Sequence, residues 1–173
     1  MITIISGTNR PHSNTLKLAT YYQQKLMEKG EASHILSLAD LSADFISSDM
    51  YKSRSDTFLP YQDRVMATQK FIFIIPEYNG SFPGILKLFI DSCRYPASFF
   101  GKKAALIGLS TGKYGNVRGV DHFTGVCHYM NLHILPLVLH IPAIHKEFDE
   151  NGDLFKEDTV KFTNEQMERF IGF

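Results

Sequence analysis

A chain of 173 residues with 18 Lys+Arg against 18 Asp+Glu carries no formal net charge, so no global positive field exists to hold nucleic acid or an anionic membrane. With 44% hydrophobic and 21% charged residues, the chain can bury one sizeable core, and its length suits a single domain over residues 1–173. Met1-Ile2-Thr3-Ile4-Ile5 lacks the basic region of a signal peptide, no apolar run reaches membrane-span length, and two cysteines make no disulfide framework, so the expected location is cytoplasmic.

Ile2 to Ser6 is short, apolar and β-branched, which predicts a buried strand. A small polar loop, Gly7 to Asn14, leads into a helix whose apolar stripe is Leu16, Ala19, Tyr22 and Leu26, with Gly30 as its stop. Ser33 to Leu38 reads as a second, weaker strand. Ala39 to Pro60 is polar and without clear period, a long loop of the functional or mobile kind that bears on substrate choice. A helix is expected over Tyr61 to Lys70.

Phe71-Ile72-Phe73-Ile74-Ile75 shows no polar alternation, as a central strand covered on both faces requires. After the loop Pro76 to Phe82, Pro83 suits the first turn of a helix, and Ile85, Leu86, Leu88, Phe89 and Ile90 make that helix apolar nearly all round. Such a helix is buried in the core or against a partner. Ala104 to Leu109 predicts a fourth strand, Val117, Val120, Phe123, Cys127 and Met130 a helix, and Leu132 to Leu135 a fifth strand. Asp149 to Asp153 reads as a turn rather than a calcium loop, because Leu154 and Val160 occupy the positions that need Gly and Glu. Val160, Thr163, Met167 and Phe170 mark a closing helix.

Strands alternating with helices imply right-handed β-α-β units and an α/β three-layer sandwich: a five-stranded parallel sheet in the flavodoxin-like order 2-1-3-4-5. Ligands then sit beyond the carboxyl ends of the strands at the switch point. That rule directs attention to three loops.

The first, Gly7 to Thr15, joins a strand to a helix start. Free N–H groups and the helix dipole attract phosphate there, Thr8, Ser13 and Thr15 add hydroxyls, Arg10 adds a forked cation, and Ser13 or Asn14 caps the helix. Its spacing matches neither G-x-G-x-x-G nor G-x-x-x-x-G-K-[ST]. The second, Pro76-Glu77-Tyr78-Asn79-Gly80, offers an aromatic ring and exposed amides to a flat heteroaromatic ligand. The third, Ser110-Thr111-Gly112-Lys113-Tyr114-Gly115, has glycines that permit close backbone approach. No nucleophile, triad or metal spacing is present: the seven histidines form no H-x-x-x-H pair, Cys127 lies on an apolar stripe, and Cys93 is open to exposure with no activating neighbour. Neither catalytic side chains nor metal ligands are assigned.

Gly7 to Thr15 resembles the G-[ST]-x-R-x-x-S loop of the NADPH-dependent FMN reductase family, the flavodoxin-like quinone, chromate and azo reductases. Pro76-Glu77-Tyr78-Asn79-Gly80-Ser81-Phe82-Pro83-Gly84-Ile85-Leu86-Lys87 is similar to its P-E-Y-N-x-S-x-P-G-x-L-K segment, and Ser110 to Gly115 to its S-x-G-x-x-G loop. Asn116 stands where many members carry a second glycine. The resemblance implies FMN, with its phosphate held by Thr8, Arg10, Ser13 and Thr15 and with Asn14 also among the cofactor-binding residues. It places the ring against Pro76, Glu77, Tyr78, Asn79 and Gly80 and against Ser110, Gly112, Tyr114 and Gly115. It also implies reduction by NADPH or NADH, delivery to a small acceptor such as a quinone, azo compound or free flavin, and assembly as a homodimer or homotetramer. Tyr78 or Tyr114 would shape the acceptor face. The alternatives are a flavodoxin-like electron carrier, which the neutral charge balance opposes, and a non-catalytic FMN-binding domain.

Overall fold

The computed structural model describes residues 1–49 and 54–173, whose backbone hydrogen bonds build one parallel sheet flanked by helices. In chain order the elements are β1 (Ile2–Ser6), α1 (Asn14–Glu28), β2 (Ser33–Ser37), α2 (Phe45–Ser48), α3 (Leu59–Ala67), β3 (Lys70–Pro76) and α4 (Gly84–Ser92). There follow β4 (Lys103–Leu109), α5 (Val117–Tyr129), β5 (His133–Ile134), β6 (Leu139–Ile141) and α6 (Glu157–Gly172). The spatial order is β2-β1-β3-β4-β5 with every pair parallel, the flavodoxin-like order that the alternation of elements implies.

Period-2 alternation along the central strands sorts side chains to two faces. Phe71, Phe73 and Ile75 of β3 join Ala104 and Leu106 of β4 on one side, where Val65, Leu86, Phe89 and Phe123 of α3, α4 and α5 cover them. Ile72 and Ile74 join Ile2, Ile4, Ala105 and Ile107 on the other, beneath Leu18, Tyr22 and Leu26 of α1 and Met167 and Phe170 of α6. Two cores on one sheet make three layers.

The fifth strand differs from its expected span of Leu132 to Leu135. Two short pieces fill that position: β5 runs beside Lys103 and Ala104, and β6 beside Ile107 to Leu109. Pro136 lies in the gap between them, where it has no N–H to give a ladder. The buried Gln166 closes the gap from α6. Its Nε2 donates to Leu106 O at 3.1 Å and to Leu137 O at 2.8 Å, while its Oε1 accepts from Tyr22 Oη at 2.9 Å.

The stretch expected as an unstructured loop from Ala39 to Pro60 is anchored. Phe45 and Phe58 are buried, and the Phe58 ring lies 5.4 Å from Phe45 and 6.1 Å from both Tyr61 and Phe89. The part of that expectation falling on 50–53 lies outside the described residues. Cys93 is buried rather than exposed, packed with Phe89 and Phe99 in the same core as Cys127. The turn at Asp149 forms as expected, with the Asp149 carboxylate accepting from Asn151 N and Asp153 N, both at 2.9 Å.

Candidate functional site

The loop after β1 turns because Gly7 must pass close to β3. Its N–H donates to Ile74 O at 2.9 Å, and a Cβ there would lie 2.9 Å from the same oxygen. Ser13 ends the loop as the N-cap of α1, its Oγ accepting from Leu16 N at 3.1 Å. Among the described residues the Ser13 hydroxyl hydrogen has no acceptor, which leaves it to donate. Asn14 and Thr15 are the first two helical residues, so their N–H groups have no acceptor within the helix. Arg10 is exposed, with its guanidinium 6.0 Å from the centre of the Tyr78 ring. Thr8 is buried, and its Oγ1 shares a 2.6 Å hydrogen bond with Tyr78 Oη and accepts from Arg10 N at 3.2 Å. That side chain ties the first loop to the second.

The second loop is a tight hairpin. Tyr78 and Ser81 exchange backbone hydrogen bonds across Asn79 and Gly80, whose φ values are 51° and 76°. Two successive positive φ angles are the requirement of a type I′ turn, and Asn-Gly meets it best. Glu77 N donates to Leu109 O at 3.0 Å, and Ser81 Oγ lies 2.9 Å from His122 Nδ1 on α5. The third loop is held from inside by Ser110, whose Oγ accepts from Gly115 N at 3.0 Å and donates to Gly112 O at 3.2 Å. Gly115 fits only as glycine: its φ is 59°, and a Cβ would lie 2.6 Å from Ile141 N.

The three loops meet at the carboxyl edge of the sheet. Arg10, Ser13, Asn14, Thr15, Pro76, Glu77, Tyr78 and Ser110 line one cleft of about 80 Å³ together with Leu109, Thr111 and Ile144. Six predicted residues do not line it: Thr8 is buried and bonded to Tyr78, Asn79 and Gly80 form the tip of the Tyr78–Ser81 hairpin, and Gly112, Tyr114 and Gly115 lie further along the loop that begins at Ser110. Tyr114 is largely exposed, its ring under Lys113 at 5.6 Å. Ile144 escapes the sequence reading. It follows β6, and Ile144 N and Ala143 N donate to Ser110 O and Gly112 O at 3.0 and 2.9 Å. The signal was available: the end of a fifth parallel strand reaches the same edge as the other four. Larger hollows lie elsewhere, among them about 350 Å³ between α4 and α5, about 450 Å³ between β6 and α6 and about 330 Å³ beside Tyr21 and Asn164, but none of these gathers a helix start, an arginine and free amides.

A parallel sheet in this order, with three strand-to-helix loops converging at its switch point, defines a flavodoxin-like α/β protein built to hold a phosphorylated ligand. The family model described as NADPH-dependent FMN reductase matches residues 1–146, and the chain belongs to that family. It is an NAD(P)H-dependent oxidoreductase that uses FMN. A 2-hydroxy-1,4-benzoquinone reductase of a Burkholderia species is 28% identical over 150 residues, covering 80% of this chain and 82% of that one. An NAD(P)H-dependent FMN reductase of Pseudomonas aeruginosa is 30% identical over 112 residues, 62% of this chain and 60% of that one. The structure of FerB, a flavoenzyme NAD(P)H:(acceptor) oxidoreductase of Paracoccus denitrificans, superposes with a TM-score of 0.78 at 25% identity, over 99% of this chain and 94% of that one. Among the described residues no helix is long and apolar enough to cross a membrane.

The residues present suit FMN. A phosphate needs several donors and a cation, and the edge supplies the N–H groups of Asn14 and Thr15, the Ser13 hydroxyl and Arg10. A flat ring needs an aromatic edge and backbone groups free of side chains, which Tyr78, Gly80 and Gly112 supply.

Proposed function

We propose that the cleft between the three loops is the FMN site and that the chain works as a reductase of small quinones, as a single domain over residues 1–173. In this reading Arg10, Ser13, Asn14 and Thr15 hold the phosphate. Pro76 to Gly80 and Ser110 to Gly115 flank the ring. When bound, FMN supplies the two-electron chemistry that side chains cannot. The chain's own part is to bind, orient and select. The helix start fixes one end of the cofactor, and the Thr8–Tyr78 hydrogen bond fixes the ring loop relative to the phosphate loop. The convergence of these loops on one cleft carries the proposal, and the likeness to a benzoquinone reductase supports the acceptor class.

The ends of α4 and α5 flank an open hollow lined by Ile90, Val126 and Met130, a surface for self-association. Tyr95 and Tyr129 are exposed there with stacked rings 6.4 Å apart, which supports a homodimer or homotetramer. The test is steady-state kinetics of the FMN-loaded protein with NADPH and a benzoquinone varied together. Parallel double-reciprocal lines, as one shared site demands, support the proposal. Bound FMN that NADPH bleaches but that no quinone reoxidises faster than buffer refutes the acceptor assignment.

A further inference from the structure

Asn116 joins the third loop to α5, and nothing about it is ordinary for a loop residue. Its backbone is left-handed, φ 64° and ψ 38°, a conformation in which asparagine is the most tolerated residue after glycine. Its side chain is fully buried. Nδ2 donates to Ile75 O at 2.9 Å, one residue before Pro76 opens the second loop. Oδ1 is buried with no hydrogen-bond partner among the described residues. It lies against Gly119, where a Cβ would come within 2.0 Å of it and 2.6 Å of the Ser81 carbonyl carbon. One amide is therefore wedged between the end of β3, the Tyr78–Ser81 hairpin and the first turn of α5. Gly119 is the residue that makes room for it.

A buried acceptor without a partner and a left-handed backbone both oppose folding. A glycine would be free of both. Such a combination is retained where it fixes a geometry rather than where it adds stability.

Resting on the flavin reading above, we propose that Asn116 is a positioning residue. Its amide locks the Pro76–Gly80 hairpin against the Ser110–Gly115 loop, so that the two segments flanking the ring hold one spacing. It touches neither the cleft nor any reacting atom, because it is not among the residues lining the cleft. Asn116→Gly removes the strain and the orphaned oxygen, and these gains offset the loss of the hydrogen bond to Ile75 O that makes the lock. The spacing is then free to drift while the fold keeps its other contacts.

The test compares FMN binding to apo-protein, followed by flavin fluorescence quenching and by the visible circular dichroism of the bound ring, with the melting temperature of the same apo-protein. For Asn116→Gly the expectation is a melting temperature within about 2 °C of wild type, an FMN dissociation constant raised about 10-fold, and an altered circular dichroism band. Gly119→Ala, whose Cβ would meet both Asn116 Oδ1 and the Ser81 carbonyl carbon, should weaken binding at least as much, and adding Asn116→Gly to it should cost less than the sum of the two, because both break the same lock. If Asn116→Gly binds FMN as wild type does with an unchanged dichroism band, the inference is overturned while the flavin site stands. The same holds if affinity and melting temperature fall together, or if the losses from the two substitutions add in full. If wild type itself fails to quench FMN fluorescence, the functional reading falls, and this inference with it.

Discussion

Gln166 closes the break in the fifth strand, and removing it has a cost that the contacts set. Truncation to alanine leaves Tyr22 Oη and Leu106 O buried without their partner, and Leu137 O with access to water. Each buried group left unpaired costs about 1–3 kcal/mol, so the two fully buried ones together give about 3 kcal/mol, with the half-buried third adding little. At about 2–4 °C per kcal/mol for a chain of this size, the melting temperature should fall by about 6–12 °C. Gln166→Met keeps the volume and orphans the same three groups, so it should fall nearly as far. That separates hydrogen bonding from cavity formation. Tyr22→Phe removes a single donor and should cost about 1 kcal/mol; combined with Gln166→Met it should cost less than the sum, because the two share a bond. Calorimetry on the apo-proteins reads all four variants. A melting temperature for Gln166→Met within 2 °C of wild type would show that the gap is not held by this amide. The loss should also reach the ligand edge, because β6 carries Ala143 and Ile144 onto the loop at Ser110 and Gly112.

Arg10→Ala should leave melting unchanged within about 2 °C, since the side chain is exposed. It should raise the FMN dissociation constant about 10- to 100-fold, the loss of one charge-assisted contact of about 1.5–3 kcal/mol. Burial pushes the thiols of Cys93 and Cys127 up to about 12. A disulfide reagent at pH 8 should therefore label neither in the folded protein and both in denaturant; rapid labelling of either under native conditions would contradict their burial. At Asp49, burial favours the neutral acid, but hydrogen bonds from Ser48 Oγ and Ser55 N and the nearby Arg54 charge outweigh it, so its pKa is lowered. A carboxyl lowered on folding stabilises fully above its unfolded value of about 3.9 and loses that contribution as pH falls through the lower folded value. Asp49→Asn should thus be less stable than wild type at pH 7 and approach it as the pH falls through the lowered folded value. A constant gap between the two across that range would sink the assignment.

Period and punctuation made most of the fold legible. The all-apolar Phe71 to Ile75 run placed the central strand, and the stripes on α1, α5 and α6 placed three helices. What stayed hidden was non-local. The split of the fifth strand depends on Gln166, a polar residue far along the chain that no periodicity links to Pro136. Phe45 and Phe58 anchor a stretch whose intervening residues are mostly polar and show no helical or strand period, so no stripe announces them. Cys93 ends its helix among residues that only the folded sheet brings over it. At the ligand edge, glycines, Ser13 and the Asn79-Gly80 pair marked the three loops because the backbone conformations there demand those residue types. The internal ties, Thr8 to Tyr78 and Asn116 to Ile75, join residues distant in sequence and emerge only with the coordinates.

Titrating FMN into ¹⁵N-labelled apo-protein and mapping which backbone amides shift shows directly where the cofactor binds. With FMN held between the three loops, the shifts should concentrate at Asn14 and Thr15, at Tyr78 to Gly80 and at Gly112 to Gly115. Shifts centred instead on the hollow beside Tyr95 and Tyr129, or on the one between β6 and Phe162, would contradict that placement.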